Sequence, residues 1–361
     1  MSVAINGTNG ITFNDGSLQP SAPVGKNKII NGDMRVDQRD GTATINATSV
    51  TYNVDRWLGR GVASAGVFTL AQDTTSPANF TNSLKATVTT ADSSIASGSS
   101  YRIQQMVEGY NISDLNWGTS DAQSVTLSFW VRSSVTGTLG GSVANGDFNR
   151  FNVFSYTISS ADTWEYKTVT ITGDTSGTWP TDNSLSLRLN FSLGAGSTLL
   201  AAVGSWGAST KEGVTGQTNV IATNSATFYV TGVQLEANTT ATPFEHLQYG
   251  QQLALCQRYY YKWNTTSSNN WVAWAMAANT TNMYGHVPFP TTMRNNPSSI
   301  EYSGLGWWLG GAVTAFSAVA IAESGTDSCT MNFTSTGLTA QKMYAVLPNG
   351  STNYIAFNSE L

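Results

Sequence analysis

Side chains able to do acid–base, metal or nucleophilic chemistry are sparse in this chain of 361 residues, which has two histidines, two cysteines and 22 acidic residues. His246 follows Pro243-Phe244-Glu245, and His286 stands beside Val287-Pro288, a setting that reads as a loop. Structural zinc sites gather several Cys or His ligands at short spacing. His246, His286, Cys256 and Cys329 show no such spacing, so no metal site and no cofactor is expected. One Cys256–Cys329 bridge stays open, with free buried thiols the favoured reading. No Gly-x-Ser-x-Gly elbow or phosphate-binding glycine loop occurs. Glycoside cleavage needs two carboxylates flanking a bond. Glu108 with Asp114, Asp162 with Glu165, and Glu301 with Glu323 and Asp327 are the pairings to consider. Acids this dispersed read as surface, turn or cap residues, so no catalytic residue is assigned.

Aromatic residues are the more promising chemistry. Sugars present apolar C–H faces, and flat rings offer matching planes. The chain has 11 Trp and 14 Tyr. Trp57, Trp130, Phe228 and Tyr229 sit in strand-like or motif positions and read as packing. A denser group lies toward the C-terminus: Trp271, Trp274, Tyr284, Tyr302, Trp307 and Trp308. Successive side chains of a strand point to opposite faces, so Trp307 and Trp308 cannot both be inside. Subunit packing, solvent or loop packing, and glycan contact are the three roles open to this group, in that order.

The elements that position these rings read as β structure. Charged residues make up 11% of the chain, against about 25% in ordinary globular proteins. Thr, Ser, Asn and Gly take their place, as suits strands and turns. Period-two alternation runs through Val125–Arg132, Glu165–Ile171, Leu185–Leu193 and Thr227–Leu235, with turn clusters between. Many strands without intervening helices predict an all-β protein of two sandwich or jelly-roll domains. The expected divisions are a short N-terminal segment, 1–25, a large sandwich, 26–245, and a smaller one, 246–361. The stretch 248–257 predicts a short helix at the join. The N-terminal segment holds a strand–turn–strand pattern through Ile11, Phe13 and Leu18, too short to bury anything alone. It reads as an anchor docked on another surface. The net charge of −5, with Lys26, Lys28, Arg35 and Arg39 each beside acids, argues against nucleic acid. No stretch is apolar and long enough to suggest membrane insertion, and the opening MSVAINGTNG lacks a signal-peptide pattern.

Several local signatures add a resemblance. Ile29-Ile30-Asn31-Gly32-Asp33-Met34, Asp55-Arg56-Trp57 and the closing Phe228-Tyr229-Val230-Thr231-Gly232-Val233-Gln234-Leu235-Glu236 resemble the ends of sugar-binding jelly-roll modules. With Gln104-Gln105, Thr242-Pro243-Phe244-Glu245 and Cys256-Gln257-Arg258-Tyr259 the wording resembles phage tail-fibre and tail-adhesin proteins that carry such a module. The resemblance covers about two thirds of the chain. It implies a virion protein assembled in a host cytoplasm and commonly homotrimeric. It implies attachment to other virion proteins through Ile11, Phe13 and Leu18, and contact with host cell-surface polysaccharide. A glycan-cleaving tailspike and a bacterial carbohydrate-binding module or lectin are the rival classes. One departure matters: Thr231-Gly232 stand where related modules place an Asp-Asp pair for calcium, so no calcium site is expected.

Overall fold

The computed structural model describes residues 4–6, 10–12, 18–19, 25–46, 48–62, 65–265, 270–350 and 352–361. Strand accounts for 46% of the chain and helix for 6%, so the all-β expectation holds. Ala4–Asn6, Gly10–Thr12 and Leu18–Gln19 pair as a small antiparallel sheet, with Thr12 opposite Leu18. Ile11 and Leu18 thus lie on paired strands, while Phe13 lies outside the described residues.

Two larger sheets face each other across the main core. One runs in the order Glu165–Ile171, Val125–Ser133, Thr227–Glu236, Ser83–Thr90, Val67–Asp73, Thr42–Ile45. The other is seven-stranded, with Leu185–Ala195 and Ser100–Glu108 at its centre. Their inward rows bury Trp57, Phe68, Tyr101, Phe129, Phe191 and Phe228 completely. Each such burial contributes on the order of 1.5–3 kcal/mol, which is why alternation dominates these strands.

The C-terminal strands form a second, smaller pair of sheets. Tyr260–Thr265, Asn353–Asn358 and Ser299–Ser303 make a three-stranded sheet. Ala273–Ala277, Asn282–Pro288 and Ser328–Thr334 lie within a seven-stranded one. Met283, Met331, Phe333, Tyr344, Ile355 and Phe357 fill the space between them. His286 belongs to the strand Asn282–Pro288 rather than to a loop, because the alternation continues through Val287.

Between the two cores lies the helix Tyr249–Gln257, opened by a Gln248–Gln251 capping box. Its Cys256 and the following Tyr259 pack on Ile30 and Val36. Ion pairs close the junction: Arg258 with Glu108 at 2.5 Å, and Arg56 and Arg39 with Glu360. Arg294 donates to the carbonyls of Asn183, Ser359 and Glu360. Cys256 and Cys329 are both free and buried. Among the described residues no helix is long and apolar enough to cross a membrane.

Candidate binding cleft

The outer face of the six-stranded sheet is built by strict cross-strand pairing. Leu127, Phe129 and Val131 belong to the hydrophobic core, so Thr126, Ser128 and Trp130 take the other face, where Thr126 and Ser128 are still buried and Trp130 is partly exposed. Their partners on the next strand are Thr170, Thr168 and Tyr166. Trp130 and Tyr166 form a directly opposed pair, ring centroids 5.3 Å apart and tilted by 48°. Trp130 is therefore not core packing as the sequence suggested. It is half-buried on an open face, beside a Tyr166 that is 44% exposed.

A break in the ladder shapes the floor. Pairing between Val125–Ser133 and Thr227–Glu236 shifts register between Ser128 and Trp130. Gly232 occupies that bulge with φ of +62°, a left-handed conformation glycine adopts readily. A Cβ there would come within 2.7 Å of the Phe80 ring and 3.2 Å of Trp130. The absence of a side chain at Gly232 thus leaves room for the Phe80 ring on one side and Trp130 on the other.

A strap, residues 238–246, forms the opposite wall. Thr126 Oγ1 donates to the Asn238 carbonyl at 2.8 Å and Thr170 Oγ1 to that of Thr239 at 3.2 Å. Glu236 accepts from the Thr242 N–H and hydroxyl, and Gln234 Oε1 accepts from the Glu245 N–H. Glu245 in turn accepts from the N–H groups of Gly25 and Asn27, where the described main body of the chain begins. Phe244 then packs edge-on against both Phe80 and His246, and His246 lies tilted against Phe80. The result is a cleft of about 790 Å³, with Trp130, Tyr166 and Phe80 as apolar surfaces and Ser128 and Thr168 supplying hydroxyls. None of the described residues lining it is an Asp, Glu, Lys or Arg. Clefts of this size, mostly apolar with a few polar groups, are the usual form of small-ligand sites.

The residues behind the family-like signatures serve other ends. Asn31 holds the Val36 backbone through both amide atoms, Gln105 holds both backbone groups of Ile30, and Trp57 Nε1 donates to the Asn31 carbonyl. These are fixings of the scaffold. Asp33 pairs with Arg35, and no three His, Cys, Asp or Glu gather for a metal among the described residues. Four of the acids weighed for catalysis are engaged by other side chains. Glu108 is held by Arg258 and Tyr259, Asp114 by Lys28, Asp162 by Arg132, and Glu165 by Lys167.

Of the C-terminal aromatics, three come together. Trp271 meets Trp274 edge-on at 4.7 Å and lies 6.4 Å from Trp308. Trp274 and Trp308 are both register partners of Ala345, one on each side. Met276 sits between Met343 and Tyr284 in the next row of the same face. Trp271, Trp274, Met276, Tyr284, Trp308 and Met343 are each 37–53% exposed. Tyr302 lies on the other sheet, on the strand Ser299–Ser303. Trp307 turns inward, donating to Ser335 Oγ at 2.9 Å and packing edge-on against Tyr344.

The fold and cleft together define an all-β, two-sandwich protein with an open aromatic cleft on the outer face of its larger sandwich. No family model matches the chain, and no curated protein matches it. Among solved structures it is similar to the enzymatically active domain of tailspike protein 4 of bacteriophage CBA120 (13% identity, TM-score 0.29), over 59% of this chain and 22% of that one. It is also similar to a family 11 carbohydrate-binding module of Clostridium thermocellum crystallised with a mixed-linked tetrasaccharide (12% identity, TM-score 0.28; 57% and 98% covered). A xylan-binding domain of Paenibacillus barcinonensis aligns similarly (12% identity, TM-score 0.27; 55% and 95% covered). The alignments are loose, and the two-sheet build stands on the strand topology described above.

Proposed function

We propose that this chain is a non-enzymatic virion adhesion protein of the tail-fibre type, which binds neutral host-surface glycan in the cleft over Trp130 and Tyr166. The observation that carries the proposal is the composition of that cleft: aromatic planes, serine and threonine hydroxyls, and no Asp, Glu, Lys or Arg in its lining. Such a surface suits a ligand with apolar C–H faces and many hydroxyls, and carries no penalty for burying an unpaired charge. A depolymerase would need a carboxylate pair at the bound chain. Glu236 and Glu245, at the ends of the strap, are engaged in holding it, and Glu165 beside Tyr166 is paired with Lys167.

Two further parts complete the proposal. The N-terminal strands Ala4–Asn6, Gly10–Thr12 and Leu18–Gln19 attach the protein to other virion components. The exposed face around Trp271, Trp274 and Trp308 packs between copies in a homotrimer, since large apolar patches on soluble proteins commonly mark interfaces. Retention of host polysaccharide by the purified protein tests the binding proposal. Retention without release of reducing ends, lost on Trp130→Ala, is expected. Chain cleavage by the wild-type protein would replace adhesion with depolymerisation.

A further inference from the structure

The cleft over Trp130 and Tyr166 has a closed end and an open side. Cross-strand rows mark its floor: Trp130 opposite Tyr166, Ser128 opposite Thr168, and Thr126 opposite Thr170. Both hydroxyls of the Thr126–Thr170 row donate to carbonyls of consecutive strap residues, Asn238 and Thr239. The strap backbone therefore crosses both strands at that row, about 14 Å along the sheet from the Trp130–Tyr166 pair at a rise of about 3.4 Å per residue. Beyond the crossing the strap turns back along one flank. Glu236 and Gln234, which hold the N–H groups of Thr242 and Glu245, stand opposite Thr126 and Ser128 on the strand Thr227–Glu236. Lys26 Nζ donates to Thr242 Oγ1 and to the Pro243 carbonyl at 2.5 and 2.8 Å. Phe244 continues this wall, 5.2 Å from the Phe80 ring. The other flank is open. Glu165–Ile171 is the edge strand of its sheet, and Tyr166, Thr168 and Thr170 on it are all exposed.

An interior segment of a polymer needs a way into its site and a way out, whereas a chain end needs one opening. We propose that this cleft is end-binding: the last rings of a neutral glycan lie between the Trp130–Tyr166 pair and the strap, and the rest of the chain leaves over the edge strand. A chain that ran on along the strands would meet the strap backbone. Moving the strap aside would break the Thr126, Thr170, Glu236, Gln234 and Lys26 hydrogen bonds together. A terminal ring also carries a hydroxyl where an interior ring carries a linkage oxygen. That hydroxyl both donates and accepts, as do the exposed Thr168 and Thr240 that line the cleft. The inference rests on the glycan reading above and adds which part of the glycan is held.

The test reads how much of the full chain a gram of glycan holds at saturation. Purified neutral host-surface polysaccharide is cut by partial acid hydrolysis into fractions of falling length, and the chain ends in each fraction are counted chemically. Each fraction, and the intact polymer, is titrated by calorimetry against the wild type and against Trp130→Ala, which is expected to bind none of them. End binding predicts that the wild-type capacity per gram rises in proportion to the number of ends, twofold when the mean length is halved. Borohydride, which opens the ring at the reducing end, tells the two ends apart: binding lost on reduction assigns the reducing end, and binding kept assigns the other. A capacity per gram that stays constant as the fractions shorten would mean that interior segments are bound. It would overturn the end inference and leave the adhesion reading standing. No saturable binding of any fraction, the intact polymer included, would overturn both.

Discussion

Trp57 and Trp130 are both strand tryptophans of the same sandwich, yet one is sealed in the core and the other lies open on a sheet face. Adjacency decides this. Phe129 and Trp130 are neighbours in a strand, so they cannot share a face, just as Trp307 and Trp308 cannot. Applied to both pairs, that rule finds the cleft tryptophan from sequence; applied only to the second, it misses it. Trp130→Ala is predicted to remove glycan retention while changing stability by less than about 1 kcal/mol, whereas Trp57→Ala costs about 3–5 kcal/mol. Urea midpoints beside a retention assay check both. Asp37 gives a second residue-scale expectation. Burial, aided by the nearby Asp55 and Asp40 carboxylates and opposed by the Asp40 N–H, holds its carboxyl up at about 6 against an ordinary 3.8. Between those values the folded chain binds more protons than the unfolded one. Asp37's contribution is therefore full at the acid side and declines as pH rises toward 6. Asp37→Asn should flatten that part of the stability–pH curve, measured by urea unfolding across the window. An unchanged slope would remove Asp37 from the explanation.

At the scale of elements, the strands were legible because burial on one face leaves a period-two signature. Glu165–Ile171 falls where alternation put it, and the helix Tyr249–Gln257 lies inside the stretch 248–257. The bulge at Gly232, the strap and the junction were not legible, because each depends on partners far away in sequence. Arg56 and Glu360 are 304 residues apart, and their side chains are 1% and 4% exposed. Removing one member of a buried ion pair strands the other charge. Glu360→Ala is therefore predicted to destabilise the protein by about 3–5 kcal/mol, an effect read from its denaturant midpoint. A loss within the range of ordinary surface substitutions would mean that water reaches the pair.

At the scale of the whole molecule, uncharged surfaces fit repeated contacts between copies. The face formed by Trp271, Trp274, Met276 and Trp308 has no charged side chain among those residues, so covering it desolvates little that is polar. A homotrimer is predicted by light scattering, and Trp274→Glu should shift it to monomer while leaving the fold intact by circular dichroism. A wild-type monomer at micromolar concentration would end the trimer proposal. Three copies carry three clefts, and weak sites joined this way hold a polymer far more tightly than one alone. The central claim, that the cleft over Trp130 and Tyr166 holds glycan without cutting it, is tested most directly by one binding isotherm. Purified host-surface polysaccharide is titrated into wild-type protein and into Trp130→Ala, with reducing ends counted at the end of each run. Saturable binding by the wild type, its loss in the variant and no new reducing ends are the predicted result. Equal binding by both proteins, or new reducing ends from the wild type, would contradict the account.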